Sequence, residues 1–481
     1  MKLSDILQNI STQHVSADLE MEITGVSYDS RQTQPGDLFV AMAGFATDGH
    51  KYISAAVERG AVCILCQTPP EGDIPYIQVE NSRRALAVVG ANFFHHPARE
   101  MTMVGVTGTN GKTTTTYLLK DILEHAAGAK VGLIGTNQNM IGDQVLHTER
   151  TTPESFEVQK LFREMADAGC THVVMEVSSH ALSLDRVYGV RYAVGVFTNL
   201  TQDHLDFHGT MEAYCDAKAI LFQNCDVGVY NADDPWAERL MAHATCRKVS
   251  FGEKTGDLQA QNICLHDTGV EFDAVEQGGV QKIQVAIPGG FMVYNTLGVL
   301  AAAQALGVSL AQSAEILSHT AHVKGRVEPV PTDGDYTILI DYAHTPDALE
   351  NVLKAVKGFA KGRVVALFGC GGDRDRTKRP QMGKIAADNA DFVIVTSDNP
   401  RTEDPAAIIA DILPGLSGTK TPHVTVENRV EAIHYAIDHA QRGDIIVLAG
   451  KGHEDYQEIN HVKHHLDERE VVAEYLAVRK K

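Results

Sequence analysis

From about residue 100 onward, short apolar runs rich in β-branched residues alternate with stretches of helical periodicity. Such apolar strands between helices are typical of a parallel sheet that is covered on both faces. We first predict strands at 103–107, 131–134, 172–177, 194–198 and 227–230. The alternation restarts after residue 330, with strands predicted at 337–341, 364–368, 392–396 and 445–448. The chain therefore contains two predicted parallel-sheet units, whose functional groups we expect at the carboxyl ends of the strands.

The break between these units falls at residues 324–331, where Pro329 and Pro331 interrupt any regular element. A third unit precedes them, with strand-like runs at 23–28, 38–42 and 62–65. Three domains suit 481 residues, since a domain averages about 150 residues. We expect an α/β protein with a small α/β N-terminal domain (1–90), a central P-loop parallel-sheet ATPase-like domain (91–328) and a C-terminal Rossmann-like doubly wound domain (329–481).

The chain carries 62 acidic and 42 basic residues, a net charge of −20. This charge gives no general attraction to nucleic acid or anionic lipid, so phosphate must be bound at local sites. The cysteines show no disulfide spacing, and Cys63 and Cys66 lie in an apolar run that predicts core positions. The N-terminus lacks the apolar core of a signal peptide, and no run reaches the ~20 apolar residues of a membrane span. We expect a cytoplasmic monomer that acts on small molecules, without nucleic-acid or membrane partners.

A glycine-rich turn, 104–114, follows the first strand of the central unit and leads into an apolar-faced helix. Backbone N–H groups of such a turn converge on phosphate, and the helix N-terminus adds partial positive charge. Lys112 is predicted to reach the terminal phosphates, and the Thr113 hydroxyl to bind Mg²⁺. The consensus places a glycine where this chain has Val106, with Gly108 as the compensating small residue. The loop predicts ATP or GTP binding, but does not separate a hydrolase from a kinase or a ligase.

Acidic and histidine side chains follow two further strands of the same predicted sheet. Glu176 lies at the end of one strand, where a carboxylate can hold Mg²⁺. His204 follows another strand, together with Asp203, Asp206 and His208. A single histidine is more often a hydrogen-bonded structural residue, but this company favours a metal ligand.

The loop at 107–113, the Glu-Val-Ser-Ser-His run at 176–180 and the Asn-Leu-x-x-Asp-His-Leu-Asp run at 199–206 together resemble the Mur ligases. These are ATP-dependent amide ligases of peptidoglycan synthesis. The resemblance continues in order through essentially the whole chain, at 231–235, 324–328, 341–346 and 369–374.

The resemblance implies a role for Lys218 that the residues alone would not suggest, since a surface helical lysine is the plain interpretation. The matching family lysine is carbamylated by CO₂, which turns a cation into a carboxylate that can hold a second Mg²⁺. The implied catalytic residues are Lys112, Glu176, His204 and Lys218, and the implied metal ligands are Thr113, Glu176, His204 and carbamylated Lys218. The implied ATP-binding residues are Gly108, Thr109, Asn110, Gly111, Lys112, Thr113, Thr114, Asn295, Arg326, Asp341 and His344.

The resemblance also implies an acceptor, UDP-N-acetylmuramoyl-L-alanyl-D-glutamate. Its uridine end would be held by the first domain and its muramoyl-dipeptide by the central one. The matching positions are Tyr28, Ser30, Phe45, Ala46, Thr47, Thr151, Thr152, Ser178 and Arg186. Leu184 stands where some relatives have a glutamine, which removes one polar contact.

The run Asp-Asn-Pro-Arg at 398–401, directly after a strand, discriminates between possible amine substrates. Meso-2,6-diaminopimelate is lysine with a carboxylate on its far end, and the fork-shaped guanidinium of Arg401 suits that carboxylate. The other matching positions are Arg374, Asp398, Asn399, Pro400, Gly450 and Glu454, of which Glu454 would pair with the distal ammonium. The alternative is a helix N-cap at Asp398 or Asn399 that leaves Arg401 on the surface.

We therefore expect an acid–amino-acid ligase that forms an acyl phosphate from ATP and the D-glutamyl carboxylate, and then an amide with diaminopimelate. The alternatives are a ligase that uses L-lysine, a folylpolyglutamate synthase, and a non-catalytic nucleotide-binding module. A module of that kind would have lost Lys112, Glu176, His204 or Lys218, and all four are present. A P-loop GTPase is disfavoured because the chain has no Asn-Lys-x-Asp motif for guanine.

Overall fold

A computed structural model describes residues 1–44, 47–148, 150–266, 268–320 and 322–479. These residues form four β-sheets, of five, eleven, six and two strands. Each strand named in the sequence analysis is present, with ends that differ by a residue or two. None of the helices within the described ranges is long and apolar enough to cross a lipid bilayer.

The N-terminal sheet has the order β1-β5-β4-β3-β2, and only β1 runs antiparallel to its neighbour. Apolar side chains cover both faces, and Cys63 and Cys66 are fully buried in β4 as predicted. Its elements are α1 (Leu3–Ile6), β1 (Thr12–Val15), β2 (Gly25–Ser27), β3 (Asp37–Val40), α2 (Ile53–Glu58), β4 (Cys63–Cys66), β5 (Tyr76–Val79) and α3 (Ser82–Phe93).

The central sheet has the order β16-β15-β14-β13-β12-β11-β6-β10-β7-β8-β9. Its elements are β6 (Thr102–Thr107), α4 (Lys112–Ala127), β7 (Val131–Ile134), β8 (Asn139–Ile141), β9 (Gln144–Leu146), α5 (Ser155–Asp167), β10 (His172–Glu176), α6 (Ser179–Ser183), β11 (Tyr192–Phe197), α7 (Leu205–His208), α8 (Met211–Gln223), β12 (Cys225–Asn231), α9 (Ala237–Met241), β13 (Arg247–Gly252), β14 (Leu258–His266), β15 (Gly269–Glu276), β16 (Gly279–Val285), α10 (Phe291–Ala305) and α11 (Leu310–Leu317).

The strands from β7 to β14 in this order are parallel, whereas both edges of the sheet are antiparallel. The strands predicted from the sequence are β6, β7, β10, β11 and β12, whereas the parallel strands β13 and β14 and the antiparallel strands at both edges were not predicted. Antiparallel neighbours need only a short turn between them, whereas parallel neighbours need a crossover, usually a helix. The hairpins at the two edges therefore extend the sheet without adding crossover helices. One face of β16 is exposed, as an antiparallel edge allows.

The C-terminal sheet has the order β17-β18-β22-β19-β20-β21, in which only the edge strand β17 is antiparallel. Two buried apolar clusters cover its two faces, which is the doubly wound arrangement. Its elements, with a separate hairpin of β23 and β24, are β17 (Glu328–Val330), β18 (Thr337–Asp341), α12 (Pro346–Lys357), β19 (Val364–Phe368), α13 (Lys378–Asn389), β20 (Phe392–Val395), α14 (Pro405–Ile412), β21 (His423–Thr425), α15 (Arg429–Asp438), β22 (Ile445–Ala449), β23 (Tyr456–Ile459), β24 (Val462–His465) and α16 (Glu468–Arg479).

The register of the central strands brings three functional loops to one edge of the sheet. Glu176 of β10 pairs with Val106 of β6, and Phe197 of β11 pairs with Thr107. The strands β6, β10 and β11 therefore end at nearly the same level, since parallel strands in register present their carboxyl ends together. The loops that follow them contain the predicted phosphate and metal residues.

Candidate functional site

The phosphate loop, residues 108–114, turns tightly between β6 and α4. Gly108 has φ +147°, and a Cβ there would lie 1.9 Å from the Thr198 hydroxyl oxygen. Gly111 has φ +86°, and a Cβ there would lie 2.3 Å from the Asn295 side-chain oxygen. Both positions require glycine because of backbone conformation and close neighbours. The predicted helical face of α4, Leu118 with Leu119, Ile122 and Leu123, is buried in the core.

The amine of Lys112 lies across the mouth of this loop. Its Nζ donates to the carbonyl oxygens of Gly108 at 2.9 Å and Thr109 at 2.8 Å. The backbone of Asn110 is fixed from the neighbouring strand end, because Asn110 N donates to Asn199 Oδ1 at 3.0 Å and Thr198 Oγ1 donates to the Asn110 carbonyl at 2.6 Å. Lys112 is thus placed at the point where phosphates would meet the helix N-terminus.

Glu176 is the centre of a buried oxygen cluster at the same edge. Its Oε1 accepts from the Thr113 hydroxyl at 2.9 Å and from Thr136 N at 2.8 Å, and its Oε2 accepts from the Thr136 hydroxyl at 2.9 Å. Gly135 leaves room for the carboxylate, since a Cβ there would lie 2.6 Å from Oε1. The carboxylate and the Thr113 hydroxyl are therefore held side by side, facing the loop.

Lys218 on α8 lies behind the phosphate loop and is 1% exposed. Its Nζ donates to the Gly108 carbonyl at 2.9 Å and lies 4.4 Å from the centre of the Tyr214 ring. Burial, and then the charge of Lys112, lower the pKa of Lys218 well below its usual value. The side chain is therefore not the solvated surface lysine that the residues alone suggested.

His204 begins α7 in the left-handed conformation, with φ +53°. Burial lowers the pKa of its imidazole to about 4; the charge of Asp203 opposes this shift, and those of His180, Lys112 and Lys218 add to it. A neutral imidazole has a free nitrogen lone pair, which is the form that binds metals.

These donors fit a phosphate-bound Mg²⁺. Among the residues that the structure describes, no group of three or more His, Cys, Asp and Glu side chains could hold a metal alone. Mg²⁺ bound to a nucleotide needs only one or two protein ligands, because phosphates and waters complete its coordination. The adjacent oxygens of Thr113 and Glu176, 2.9 Å apart, could supply such ligands, and His204 lines the same cleft.

The C-terminal domain and the junction that leads into it, residues 324–331, contact this edge directly. Arg326 Nη2 donates to the Thr113 hydroxyl at 2.9 Å, and its guanidinium carbon lies 5.1 Å from the centre of the Tyr342 ring. Asp347, in the first turn of α12, accepts from Asn110 Nδ2 and from the Thr201 hydroxyl, each at 2.8 Å. The two domains therefore meet across the phosphate loop.

A cleft of about 1110 Å³ lies between the central and C-terminal domains. It brings together most of the residues predicted for ATP and for the amino acid, with Thr151 and Ser178 from the acceptor set. The predicted residues that line it are Thr109, Asn110, Gly111, Lys112, Thr113, Thr114, Thr151, Glu176, Ser178, His204, Asn295, Arg326, Asp341, His344, Arg374, Asp398, Asn399, Arg401, Gly450 and Glu454. Gly108, Lys218, Thr152, Arg186 and Pro400 are predicted site residues that do not line it.

Three of the predicted ATP-binding residues line separate parts of the cleft: Asn295, Asp341 and His344. Asn295 is 4% exposed on α10 and touches Gly111. Asp341 ends β18, where it accepts from the backbone N–H groups of Val327 and Ala343, each at 2.8 Å, and burial raises its pKa. His344 Nδ1 donates to the Tyr342 carbonyl at 2.8 Å, which leaves the far nitrogen of the ring free to bond elsewhere.

Arg401 faces the same cleft from the loop after β20. Its φ of +52° is unusual for a residue with a side chain. Nη1 donates to the Gly372 carbonyl at 2.7 Å, and Nε lies 3.3 Å from a carboxylate oxygen of Glu458. Its side chain is 20% exposed, so the structure does not leave it on the open surface as the N-cap alternative required.

Asn399 is 3% exposed, and both ends of its amide are already used by the protein. Its Nδ2 donates to Glu454 Oε2 at 2.8 Å, and its Oδ1 accepts from Lys451 Nζ at 3.2 Å and from Glu458 N at 2.9 Å. Lys451 is fully buried and also donates to Glu454 Oε2, at 3.1 Å. One oxygen of Glu454 is therefore held by protein groups, which fixes the carboxylate at the cleft.

Asp398 and its neighbours shape the same end of the cleft. Asp398 Oδ2 is buried without a hydrogen-bond partner, 3.7 Å from Arg429 Nη1. It approaches Gly450 closely, where φ is +116° and a Cβ would lie 2.6 Å away. A Cβ at Gly372 would lie 1.9 Å from the Pro400 carbonyl oxygen. Arg374 lines the cleft, and its Nη1 donates to the carbonyl of Asp373 at 3.2 Å.

The residues predicted for the acceptor lie partly on the first domain and partly on the central one. Tyr28 lies beside Glu157 of α5, and burial together with this carboxyl raises its pKa. The Thr47 hydroxyl lies 3.2 Å from the Tyr52 hydroxyl, and Ser30 is half-buried. The predicted positions Phe45 and Ala46 lie outside the described residues.

The central part of this set forms a connected group next to Glu176. The Thr152 hydroxyl donates to the Glu176 carbonyl at 2.8 Å, and the Thr151 hydroxyl lies 3.0 Å from that of Thr136. The Ser178 side chain caps α6 by accepting from Ala181 N at 3.2 Å. Arg186 Nη1 donates to the Thr152 carbonyl at 3.2 Å, and Leu184 ends α6 with no polar group to offer.

The sequence analysis missed five residues that organise the site: Thr136, Asn199, Asp347, Lys451 and Glu458. Thr136 had a usable signal, because it follows β7 in the same parallel sheet. Asn199 likewise follows β11. Lys451 also had one, because it lies between the predicted residues Gly450 and Glu454 and pairs with the latter. Asp347 and Glu458 had none, since their partners Asn110 and Arg401 lie far away in the sequence.

Three family profiles match the chain. They are described as "Mur ligase family, catalytic domain" over residues 22–105, "Mur ligase middle domain" over 106–303, and "Mur ligase, glutamate ligase domain" over 325–452.

Two curated relatives carry the name UDP-N-acetylmuramoyl-L-alanyl-D-glutamate–2,6-diaminopimelate ligase. The protein from Clostridium botulinum is 46% identical over 99% of both chains, and that from Caldanaerobacter subterraneus is 45% identical over 100% of both. A solved structure of a ligase with this name is similar with a TM-score of 0.72 and 33% identity, covering 100% of this chain and 99% of the other. MurF ligase from Thermotoga maritima in complex with ADP, at 19% identity, shares the fold with a TM-score of 0.63 over 95% of this chain and 97% of its own.

Proposed function

This chain belongs to the Mur ligase family, and we propose that it joins meso-2,6-diaminopimelate to UDP-N-acetylmuramoyl-L-alanyl-D-glutamate with the use of ATP. The products are the UDP-muramoyl-tripeptide, ADP and phosphate. The observation that carries the proposal is a single cleft that has the phosphate loop on one side and the Arg401 guanidinium on the other. Relatives named for this activity are 46% identical over the whole chain, which supports it.

The proposed reaction takes place in that cleft in two consecutive steps. In the first, an oxygen of the D-glutamyl γ-carboxylate bonds to the γ-phosphorus of ATP, and the bond from that phosphorus to ADP breaks. In the second, the amine nitrogen of diaminopimelate bonds to the acyl carbon, the bond from that carbon to phosphate breaks, and the amine loses a proton. Domain contacts across the phosphate loop keep water away from the acyl phosphate.

The chain's own residues would place and neutralise the reacting groups. Lys112 and the N–H groups of the phosphate loop would bind the phosphates, and Arg326 would approach them from the junction between the central and C-terminal domains. Thr113, Glu176 and His204 would hold Mg²⁺, which supplies charge neutralisation to the phosphoryl group when bound. Asn295 beside Gly111, with Asp341 and His344 opposite, would enclose the remainder of the nucleotide. The catalysis rests on position and charge.

Lys218 would carry a carbamate formed from CO₂ and contribute it as a further metal ligand. Carbamate formation needs a neutral amine, and burial beside Lys112 lowers the pKa of Lys218 in the required direction. An intact mass measured under gentle, CO₂-containing conditions should exceed the sequence mass by one CO₂. The K218A variant should lack this addition, and an unmodified wild-type chain under saturating bicarbonate would contradict the carbamate.

The remaining expectations belong to the same proposal. The domain at 1–90 would hold the uridine end of the acceptor through Tyr28, Ser30 and 45–47. The domain at 91–328 would hold ATP and, through Thr151, Thr152, Ser178 and Arg186, the dipeptide. The domain at 329–481 would hold diaminopimelate through Arg374, Arg401, Glu454 and the loops at 398–400 and 450. We propose a cytoplasmic monomer that acts on these small molecules.

The proposal is tested by product formation. Protein mixed with ATP, the UDP-muramoyl-dipeptide and meso-diaminopimelate should release phosphate and form the tripeptide seen by mass spectrometry, whereas L-lysine should react far more slowly. Oxygen label placed in the γ-carboxylate should appear in the released phosphate. Equal rates with lysine would refute the assignment of the amine, and unlabelled phosphate would refute the acyl phosphate.

The R401A variant should lose the preference for the diacid over lysine. R376A is the matched control, because Arg376 lies in the neighbouring loop but pairs with Asp411 away from the cleft. A preference that survives R401A would overturn the role of Arg401 while leaving the ligase reaction itself intact.

A further inference from the structure

The backbone of Arg401 is held in its unusual conformation by the β23–β24 hairpin. Arg401 N donates to the Glu458 carbonyl at 3.0 Å, and Asn460 N donates to the Arg401 carbonyl at 2.7 Å. Arg401 and Ile459 thereby form an isolated parallel bridge. The loop that contains Arg401 is therefore attached to one edge of the hairpin.

The hairpin register decides which side chain reaches the guanidinium. The strands pair from Tyr456 with His465 to Ile459 with Val462, and the turn residues Asn460 and His461 both have positive φ, of 50° and 64°. This is a two-residue turn of the kind that fixes register. A slip by one residue would turn Glu458 to the opposite face of the hairpin.

The guanidinium of Arg401 is fixed at two of its three nitrogens. Nη1 donates to the Gly372 carbonyl at 2.7 Å, and Nε lies 3.3 Å from Glu458 Oε2. Within the described part of the chain, no hydrogen-bond partner occurs for Nη2. Because the group is planar, two fixed nitrogens determine where Nη2 points. Arg401 lines the cleft, so this free nitrogen is left for a carboxylate that enters there.

Glu458 is the carboxylate that forms an ion pair with Arg401 among the described residues. The two side chains are 20% and 23% exposed, so the pair is shielded from most of the solvent. Without Glu458, the guanidinium would keep one contact, to Gly372, and could rotate about it. A binding group that rotates loses both affinity and discrimination.

We infer that Glu458 is a positioning residue that aims Arg401 at the second carboxylate of the amine substrate and so sets the preference for a diamino diacid over a diamino monoacid. The inference rests on the proposed function, since it concerns the far carboxylate of diaminopimelate. It adds a residue whose contact with Arg401 follows from the fold of the hairpin and has no sequence motif of its own. Glu458 is not among the residues that line the cleft, so it would act through Arg401.

The test compares kcat/KM for meso-diaminopimelate and for L-lysine at saturating ATP and acceptor. E458L should lower the ratio of the two by about tenfold, mainly through KM for the diacid, with KM for ATP unchanged. E458Q keeps an oxygen that can accept from Nε, and its ratio should stay within about threefold of wild type. E474L is the matched control, because Glu474 is exposed on α16.

An unchanged ratio in E458L, or an equal loss with both amines, would overturn the inference. E458A carries the same expectation and serves if E458L does not fold, as judged by its thermal unfolding. Failure of the proposed function would look different, because the wild-type protein in the same assay would then form no tripeptide or would use lysine equally well.

Discussion

The two sides of the cleft are built in different ways. The phosphate-loop side, residues 108–114 with Glu176 and His204, consists of groups at the ends of adjacent parallel strands. The amino-acid side, residues 370–374, 398–401 and 450–458, consists of three segments that lie far apart in the sequence. Main-chain groups and glycine conformations form the first side, whereas buried ion pairs such as Lys451 with Glu454 form the second.

The difference has a physical reason. Phosphate is recognised by backbone N–H groups and a helix N-terminus, which one short loop supplies. An amino acid with two ammonium and two carboxylate groups needs several oriented charges, and each charge must be held by a neighbour. We therefore expect single substitutions on the phosphate-loop side to reduce the rate, and those on the amino-acid side to change stability or selectivity.

The largest effect is expected for K112M on the phosphate-loop side. Removing the cation that is proposed to bind the transferred phosphoryl group should lower kcat by about 100- to 1,000-fold, while the melting temperature stays close to wild type. Phosphate release under saturating substrates measures the loss. K354M is the control, since Lys354 lines the same cleft but pairs with Glu350 on the surface of α12. A K112M enzyme with near-normal kcat would contradict the expectation that substitutions on the phosphate-loop side reduce the rate.

The next effect is expected for K451M on the amino-acid side. Lys451 is fully buried, and its loss leaves Glu454 without its cation, which should lower the free energy of unfolding by about 3 kcal/mol. Urea unfolding followed by fluorescence measures the change.

Two further variants sharpen this expectation. The Tyr456 ring lies between two lysines, with its centre 5.5 Å from Lys451 Nζ and 4.2 Å from the Nζ of exposed Lys463. K463M should change stability by less than about 1 kcal/mol. The double variant K451M/E454Q removes both charges and should recover part of the loss. A double variant less stable than K451M would show that the ion pair is not the cause.

Much of the fold was predictable because apolar strands and helical periodicity are local signals. Short β-branched runs predicted β6, β7, β10, β11 and β12, and Leu118 with its neighbours predicted the buried face of α4. The antiparallel strands β15 and β16 were not predicted, because their half-exposed pattern is weaker than a fully apolar run. The hairpin of β23 and β24 explains the His-rich run at 461–465, which lies on its exposed strand.

The candidate site was predictable to the extent that its residues follow strands. Glu176 and His204 were found in this way, and Lys218 came only from the family resemblance. Nothing local in the sequence pairs Glu458 with Arg401 or Asp347 with Asn110, because those contacts depend on domain placement and hairpin register. Such pairings require three-dimensional information.

A smaller effect is expected for D347A, which removes the contact between α12 and the phosphate loop. The lost hydrogen bonds from Asn110 and Thr201 should loosen domain closure and lower kcat by about tenfold. Phosphate release measures the rate, and small-angle scattering should show a larger radius of gyration. D388A is the control, since Asp388 pairs with exposed Lys384. Unchanged kcat and scattering in D347A would show that this contact does not couple the two sides.

The smallest effect concerns His453 on the amino-acid side, whose ring centre lies 4.8 Å from that of Tyr342. Burial, and then the charges of Arg326, Lys324 and Arg469, lower the pKa of His453 to about 3. In the unfolded chain this histidine takes up a proton near pH 6.5, whereas in the folded chain it does so only near pH 3. Because the unfolded state binds more protons between these two values, the free energy of unfolding decreases as the pH falls from about 6.5 to about 3. H453Q should weaken this acid dependence by on the order of 1 kcal/mol per pH unit, measured by urea unfolding between about pH 6 and about pH 4.

His465 on the β23–β24 hairpin provides a control of opposite sign. A hydrogen bond to Glu470 raises the pKa of its exposed imidazole, so its contribution is present below the unfolded pKa and is lost as the pH rises through the folded one. H465Q should therefore leave the acid destabilisation in place and slightly lower stability in acid. If H453Q and H465Q showed the same pH profile, the dependence would not come from a buried neutral histidine, and the acid sensitivity would have to be assigned to the carboxylates around the cleft instead.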